Sequence, residues 1–481
     1  MMGRVMAMLV FALMGCSVFA QDADTGKVEI LKDDPILAAL DSMYKARFFE
    51  SSEFTTDTSL LNVRKWSKDE IPTFDNAHYV AAFQKMDDAS PFNFVYNEPV
   101  KAYIDAYLVK NRNKVSRMLG LAELYYPLFE EMLDRYDLPL ELKHLAIVES
   151  ALNPNARSRS GAVGLWQFMY RTGKIYNLNS TSYLDDRRDP YLATQAACEY
   201  FRFLYDMFGD WQLVLAAYNG GPGNLMKAIR RAGGKRDYWE IRPFLRRETQ
   251  GYVPAFFAVN YAMNYASENN VYPVKPEFFN YELDTVVVKK YTNLRTLASV
   301  LQVPIEQVQF LNPRFRQNII PQTKEGLPLI LPVEKVGIFL SNQESIYELD
   351  KPKVNEAYAN QGEIMKDVRR VHKVRRGETL GGIAAKYRVR LSDLRDWNGI
   401  RGNLIREGQN LVYYSRSAAP QKSTSTATVS TGKGGRYHVV QKGDTLWDIA
   451  KRNGISVSKL KELNNINNDY RLKIGTKLRI G

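Results

Sequence analysis

Glu149 is an acidic residue on a helix face that is otherwise apolar. Four leucines flank it at spacings of three or four residues: Leu138, Leu142, Leu145 and Leu152. This spacing is the repeat of one face of an α-helix, so Glu149 points where the leucines point. A carboxyl group among apolar side chains loses the hydration that its charged form needs, and its pKa rises toward the range of a general acid. The alternative at this point is a buried glutamate paired with an arginine.

A series of short motifs follows Glu149 along the chain. In order, they are Ser158, Gly161-Ala162-Val163-Gly164-Leu165-Trp166-Gln167-Phe168, Asp189-Pro190, Ala216-Ala217-Tyr218-Asn219-Gly220-Gly221-Pro222-Gly223, Glu248-Thr249 and Tyr252-Val253-Pro254. Glycines let the backbone approach a sugar closely, aromatic rings offer an apolar face to a pyranose, and side-chain amides bond hydroxyl and acetamido groups. Ordinary structural interpretations exist too, such as Trp166 in a core or Asn219-Gly220 at a helix C-terminus.

Taken in order, these motifs resemble the family 1 lytic transglycosylases over roughly residues 99–266. The resemblance implies a lysozyme-like, α-rich domain in which Glu149 is the catalytic acid and base. It also implies that a set of downstream residues binds the substrate: Ser158, Gly164, Gln167, Tyr218, Asn219, Glu248 and Tyr252. One residue departs from the family pattern, because Tyr170 stands where proline is usual.

The number of available carboxyl groups bears on the reaction, because an ordinary glycosidase needs two of them. The nearby candidates are Asp185, Asp186 and Asp189. Asp189 precedes Pro190 and a helical pattern, which predicts an N-cap, and Asp185 and Asp186 are expected in a solvated turn. The resemblance then implies that Glu149 alone serves both proton transfers while a 1,6-anhydro ring forms without water. The alternatives are a hydrolytic muramidase that pairs Glu149 with an aspartate, and a non-catalytic peptidoglycan-binding scaffold.

The C-terminal part of the chain contains one unit twice. Placing His372 on His438 aligns the copies without a gap as far as Asn398 and Asn464. Each copy has the pattern of a strand, two helices and a strand, and resembles the LysM module, a βααβ peptidoglycan-binding domain. The resemblance implies glycan contacts near the first turn of each copy: Gly377, Glu378, Thr379 and Leu380, then Gly443, Asp444, Thr445 and Leu446. With these repeats the chain resembles the D type of the membrane-bound lytic murein transglycosylases.

A weaker third copy precedes the other two. Leu294, Leu297, Leu311 and Asn312 keep the spacing of the second module, but Tyr291-Thr292-Asn293 stands where Gly-Asp-Thr is expected. The apolar positions therefore match those of the LysM module, while the residues of its first turn do not. We therefore expect a degenerate LysM-like domain whose glycan binding is in doubt and whose role is structural.

These patterns predict an α+β multidomain fold, with an α-rich lysozyme-like catalytic domain followed by small βααβ LysM modules. The expected divisions are a signal peptide at 1–20, an N-terminal region of unknown role at 21–98, the catalytic domain at 99–275, the degenerate module at 284–334, a connecting segment at 335–369, LysM 1 at 370–414, a flexible linker at 415–435 and LysM 2 at 436–481. The linker is predicted because its Ser, Thr and Ala residues bury too little apolar surface to fold.

The first twenty residues look like an export signal, with Arg4 before an apolar stretch and Val18-Phe19-Ala20 as a cleavage site. We therefore expect the protein in the periplasm or cell envelope, with outer-membrane association as a further option. A lipid anchor at Cys16 is the alternative, although Met14 fits the required pattern poorly. No stretch is long enough to predict a transmembrane helix in the mature chain.

Composition limits the classes of binding partner that the chain is expected to have. The 481 residues carry a net charge of +13, but the basic residues occur as scattered pairs and not as one stripe, so nucleic-acid binding is not predicted. The four histidines lack metal-ligand spacing, so we expect no metal and no cofactor. The expected partners are peptidoglycan glycan strands.

Overall fold

A computed structural model describes residues 61–181, 183–358, 368–387, 389–400 and 402–415, together with Asp34 and Leu37. Of the second LysM module it describes 437–440, 446, 449–450, 453, 455, 457–464, 466 and 475–480. The predicted export signal with Cys16, and residues 416–435 of the predicted linker, lie outside the described residues. Within the described part of the chain, no helix combines the length and the apolar character that crossing a membrane requires.

The first domain is built from helices. Its α-helices are α1 (Asn76–Asp88), α2 (Glu98–Asp105), α3 (Arg112–Arg135), α4 (Leu145–Ser150), α5 (Tyr170–Ile175), α6 (Pro190–Phe208), α7 (Trp211–Gly220), α8 (Pro222–Arg231), α9 (Tyr238–Ile241) and α10 (Arg247–Asn264). Short polar side chains accept hydrogen bonds at the start of several of them: Asp75, Asn97, Asp189, Asp210 and Asp237. Such caps satisfy backbone N–H groups that the first helical turn leaves without partners.

Helix α10 is the centre of this domain. All residues from Tyr252 to Ala262 are buried, which is typical of a helix enclosed by other helices. Helices α2 and α7 pack against it. Helix α1 joins the same core, since the rings of Phe83 and Tyr261 stack with centroids 5.9 Å apart. The described residues before 99, whose role the sequence left open, therefore include part of the α-domain's core.

Three small modules with paired strands follow the α-domain. The first contains β1 (Leu283–Val288), β2 (Thr292–Asn293), α11 (Leu294–Leu301), α12 (Ile305–Leu311), β3 (Ile319–Ile320), β4 (Leu327–Pro332) and α13 (Val333–Tyr358). The second, LysM 1, contains β5 (Val368–Lys373), α14 (Leu380–Lys386), α15 (Leu391–Asn398) and β6 (Asn410–Ser415). The third contains β7 (Tyr437–Val439), α16 (Val457–Leu463) and β8 (Lys477–Arg479). The outer strands of each module pair antiparallel, and the predicted fold class is confirmed.

One asparagine recurs at the same place in all three modules and ties the second helix to the last strand. Asn312 exchanges two hydrogen bonds of 2.8 Å with the backbone of Ile330. Asn398 does the same with Val412 at 2.7 and 2.6 Å, and Asn464 with Arg479 at 2.8 and 2.6 Å. The shared bridge explains why an asparagine ends the sequence alignment of all three copies.

The first module differs from the others because a further helix covers its turn. The segment 335–369, expected as a connection, mostly belongs to α13, and Phe339 and Ile346 of this helix are fully buried in the module's core. Asp350, also fully buried, accepts hydrogen bonds of 2.7 Å from the Asn293 amide and from the Thr296 hydroxyl. The turn equivalent to the predicted glycan-binding turn of the other modules is thus occupied by protein.

Asp185 and Asp186 were predicted in a solvated turn, and this prediction is wrong. Both are buried, with 1% and 4% of their surfaces exposed, because arginines surround them. Arg187 donates to Asp185 at 2.8 and 2.9 Å, and Arg314 of the first module donates to Asp186 at 2.7 Å. Asp189 is the predicted N-cap, accepting from the Leu192 amide at 3.0 Å, and also lies 3.2 Å from Arg314. The α-domain and the first module therefore share a buried ion-pair cluster.

Replacing Arg314 with alanine should destabilise the protein by about 3–5 kcal/mol, because two buried carboxylates lose their partner. Urea unfolding monitored by circular dichroism measures the loss. The control is Lys235→Ala, which removes half of a mostly exposed pair with Glu240 and should cost at most about 1 kcal/mol. Equal effects of the two substitutions would contradict the structural role of the cluster.

Candidate active site

Glu149 lies at the end of helix α4, which follows a 3₁₀ turn at Leu140–His144. The flanking leucines of the predicted stripe are all buried, but only Leu145 shares the α-helix with Glu149. Leu142 lies in the 3₁₀ turn, and Leu138 and Leu152 lie outside both elements, so the single helix predicted for the stripe is wrong. The helix stops directly after Ser150 because Ala151 and Leu152 adopt left-handed backbone angles, with φ of 51° and 60°. Two consecutive residues other than glycine in this region are costly, and such strain is typical of functional sites.

The surroundings of Glu149 favour its neutral form. Burial raises the pKa of Glu149 to about 8, a hydrogen bond from the Tyr252 hydroxyl opposes this rise, and the nearby charge of Glu248 adds to it. The hydrogen-bond partner of the carboxyl group is thus a tyrosine and not the arginine of the alternative interpretation. At neutral pH most molecules carry a proton on Glu149, which is the state that a general acid requires.

Tyr252 projects from α10 and is 2% exposed. Its pKa is raised well above the ordinary value, first by burial and then by the charge of Glu149. The phenol therefore keeps its proton and donates it in a hydrogen bond to Oε1 of the Glu149 carboxyl group. Once Glu149 has given its proton away, this bond stabilises the resulting negative charge.

A short hairpin of residues 157–168 contacts Ser150, the residue that follows Glu149. Isolated bridges join Arg157 to Val163 and Val163 to Phe168. The hydroxyl of Ser150, the residue next to Glu149, donates to the carbonyl of Leu165 at 2.9 Å. The same hydroxyl lies 2.9 Å from the Ala146 carbonyl of its own helix, so its one proton is shared between that helix and the hairpin.

Trp166 holds the hairpin to the helical core. Its indole N–H donates to Thr194 at 2.9 Å, and its carbonyl accepts from the Tyr218 hydroxyl at 2.8 Å. Trp166 is fully buried, so its ordinary interpretation as a core residue is the correct one. Tyr218 is partly exposed, but its hydroxyl is already engaged, which leaves the ring as the part available to a sugar.

Gly164 is required by a close approach of two backbone segments. Its φ is +91°, and a Cβ atom at this position would lie 1.8 Å from the carbonyl oxygen of Arg187. Any larger residue would push the hairpin away from Arg187. In this structure Gly164 acts by packing.

Gln167 has one polar atom without a partner in the described part of the chain. Its side-chain nitrogen donates to the carbonyls of Gly164 at 2.8 Å and Ala156 at 3.3 Å, while Oε1 is buried and has no hydrogen-bond partner there. Its backbone is left-handed, with φ of 46°. A buried acceptor without a donor suits an incoming hydroxyl or amide N–H.

Asn219 is oriented by Thr249, which belongs to one of the sequence motifs but was given no role there. The Thr249 hydroxyl donates to Asn219 Oδ1 at 2.8 Å, which leaves the amide nitrogen to act as a donor. Ser158 closes the hairpin, since its amide and hydroxyl bond to the backbone of Ala162 at 2.9 and 3.0 Å. Glu248 is exposed and reaches Glu149 through its charge.

Ser150 and Thr249 are residues to which the sequence analysis assigned no role in the site. Each is a small polar residue directly beside a predicted site residue, and both are buried. Their position next to Glu149 and Glu248 is the one signal that could have found them. Their partners, Leu165 and Asn219, become neighbours only in the folded chain.

The predicted glycan contacts of LysM 1 are partly used within the module. Glu378 accepts from the Arg375 amide at 2.8 Å and contacts His372 at 2.6 Å, and the Arg375 hydrogen bond is the largest cause that lowers its pKa to about 2. Thr379 caps α14, and Leu380 is fully buried, so the Leu380 side chain serves the core. Gly377 and Thr379 are exposed.

In LysM 2, Leu446 is half-buried against the core of the module. The other predicted glycan contacts of this module, Gly443, Asp444 and Thr445, lie outside the described residues. Across the described part of the chain, His, Cys, Asp and Glu do not form a group of three able to hold a metal ion.

Comparisons with known protein families give matches on separate parts of the chain. The family described as the transglycosylase SLT domain matches residues 127–241, and the LysM domain matches 372–412 and 438–481. The family described as the lytic transglycosylase MltD, LysM-like domain matches 282–348. The predicted resemblance to lytic transglycosylases with LysM repeats is thereby confirmed.

Individual proteins show the same likeness. Membrane-bound lytic murein transglycosylase D of Escherichia coli is 29% identical over 373 residues, which cover 76% of this chain and 78% of that protein. Autolysin of Enterococcus faecalis is 37% identical over 108 residues, which cover 22% of this chain and 14% of that protein. Among solved structures, the 70 kDa soluble lytic transglycosylase of Escherichia coli matches 42% of this chain and 32% of its own, with 23% identity and a TM-score of 0.28, too low to support any inference.

Replacing Tyr252 with phenylalanine should lower kcat about 10²-fold, because the carboxylate formed after proton transfer loses its donor. The same hydrogen bond lowers the pKa of Glu149, so its removal should move the alkaline limb of the pH profile to higher pH. A pH series of kcat/KM on peptidoglycan measures both effects. Tyr265→Phe removes a half-buried hydroxyl that bonds to the Ala82 carbonyl elsewhere in the domain, and serves as the control. An unchanged pH profile in Tyr252→Phe would contradict the proposed contact.

Replacing Glu149 with glutamine should stabilise the fold, and more so at alkaline pH. In the folded state the pKa of Glu149 is about 8, above the ordinary value of 4.5. Below pH 4.5 the protonated carboxyl group therefore contributes its full share to the free energy of unfolding, and this contribution is lost as the pH rises through 8. Glutamine does not titrate, and the gain should therefore grow between about pH 5 and pH 9. Urea unfolding at both pH values tests this, with the exposed Glu123→Gln as control. A gain that shrinks toward alkaline pH would show that the carboxyl group is not held in its neutral form.

Proposed function

We propose that this chain, which combines a transglycosylase SLT domain with LysM peptidoglycan-binding modules, is a lytic murein transglycosylase. It cleaves the β-1,4 bond between N-acetylmuramic acid and N-acetylglucosamine in peptidoglycan and leaves 1,6-anhydro ends. The observation that carries this proposal is a carboxyl group whose pKa is raised to about 8 beside a buried tyrosine.

In the proposed reaction Glu149 transfers its proton to the glycosidic oxygen while the bond from that oxygen to C1 breaks. The N-acetyl group of the substrate assists at C1. The Glu149 carboxylate, stabilised by Tyr252, then takes the proton of the muramyl 6-hydroxyl as this oxygen bonds to C1. One residue gives and regains one proton, and no water is consumed.

The ion-pair cluster supports this route over hydrolysis. A hydrolytic muramidase would need a second carboxylate, and the aspartates that follow the hairpin are held by arginines. Asp185 is bonded to Arg187, and burial, which would raise its pKa, is outweighed by this arginine, so that the pKa is lowered. Asp186 and Asp189 are bound to Arg314. None of these three is free to assist at C1.

Substrate binding is proposed for the residues around Glu149. Gln167 Oε1 and the Asn219 amide would meet acetamido and hydroxyl groups, and the ring of Tyr218 would face a sugar. Gly377 and Thr379 are the exposed parts of the proposed LysM 1 contact. A cell-envelope location suits these ligands, with export through the first twenty residues and with acylation of Cys16 as the alternative to cleavage of the signal.

Digestion of purified peptidoglycan sacculi tests the proposed function. The wild-type chain should release anhydro-muropeptides, and Glu149→Gln should release them at least about 10³-fold more slowly, since the only proton donor at the bond is gone. Mass spectrometry identifies the products, because hydrolysis adds one water and ring closure adds none. Hydrated products from the wild type would favour a muramidase. Full activity in Glu149→Gln would overturn the role of this residue.

A further inference from the structure

LysM 1 packs directly against the α-domain. Tyr170, the first residue of α5, is 7% exposed and lies in the hydrophobic core of the module together with Leu394 and Trp397 of α15. Arg171 follows it and approaches the backbone at Gly399, directly after α15. An aromatic side chain of one domain thus completes the core of another. A module that served only as a tether would need no such contact.

Charged contacts fix the orientation of the module. Arg157 of the hairpin 157–168 donates to Asp396 of α15 at 2.8 Å. Arg316 of the first module donates to both oxygens of Asp393 at 2.9 and 3.0 Å, and both side chains are buried. Buried ion pairs add little net stability but disfavour other orientations, because a displaced charge would remain unpaired.

The contact reaches the hairpin backbone itself. A Cβ atom on Gly161 would lie 2.5 Å from Asp396 Oδ1, so α15 contacts the hairpin at a position that has no side chain. On its inner side the hairpin is bonded through the Leu165 carbonyl to Ser150, the neighbour of Glu149. The hairpin is therefore held between LysM 1 and the helix that carries the catalytic acid.

We propose that LysM 1 is a fixed part of the catalytic unit, in which Asp393 of α15 holds the module on Arg316 and Asp396 positions the hairpin 157–168 beside Glu149. Tethering then falls to LysM 2, beyond the predicted linker. This inference rests on the proposed function for the meaning of the hairpin, but the docking stands on the contacts alone. Asp393, Asp396 and Arg157 are positioning residues and do not touch the reacting bond.

Hydrogen exchange and kinetics on the full-length chain test the proposal. Asp396→Ala and Arg157→Ala break the contact from its two sides, and each should speed amide exchange in residues 157–168 about tenfold. Each should also lower kcat/KM about fivefold to tenfold on soluble glycan fragments of peptidoglycan, because the hairpin is less well positioned. The double variant should show the same exchange rate and the same kcat/KM as either single variant, because both substitutions remove the same contact.

Glu407→Ala is the matched control, because Glu407 is an exposed carboxylate of the same module outside the contact. It should change neither exchange nor activity. Unchanged exchange of 157–168 in both Asp396→Ala and Arg157→Ala would overturn the docking, whatever the activity. Faster exchange with full activity on soluble fragments would overturn the positioning role. A wild type without anhydro products would instead refute the proposed function, and the exchange data would still decide the docking.

Discussion

The environment of Glu149 favours its protonated form, the proposed reaction also requires this residue to face a substrate, and much of the α-domain bears on both conditions. Burial is the main cause of its raised pKa, so the surrounding helices have to exclude water from a carboxyl group. Helix α10 provides the enclosing surface and also Tyr252, whose hydroxyl limits the cost of the negative charge that appears during the reaction. The left-handed backbone at Ala151 and Leu152 ends the helix directly behind the acid, which leaves room for the hairpin 157–168.

The arginines and aspartates after the hairpin have two consequences that belong together. They hold Asp185, Asp186 and Asp189, the aspartates considered as a second carboxylate, in ion pairs. They also join domains, because Arg314 and Arg316 of the first module reach the α-domain and LysM 1. The arginines that engage these aspartates are thus part of the same set that joins the modules to the α-domain.

Local periodicity explains what the sequence could predict. The leucine stripe around Glu149, the Asp189 cap and the repeated strand–helix–helix–strand pattern each depend on residues that are close in the chain. Asp186 was placed wrongly because its partner, Arg314, lies 128 positions later. The same limit hid the bond from Thr249 to Asn219, 30 positions apart. The repeats could be aligned, but their docking could not, since it depends on which faces meet after folding.

The three modules share one strand–helix–helix–strand framework but differ in which of their surfaces is covered by the rest of the chain. In the first module α13 covers the turn, because Asp350 occupies the hydrogen-bonding groups at the start of α11. In LysM 1 the contact with the α-domain uses α15, and the turn with Gly377 and Thr379 stays exposed. Docking through α15 therefore leaves the turn proposed to bind glycan uncovered. A glycan strand held at this turn would lie at a set distance from Glu149, so that the docked module would influence which bond of the strand reaches the acid.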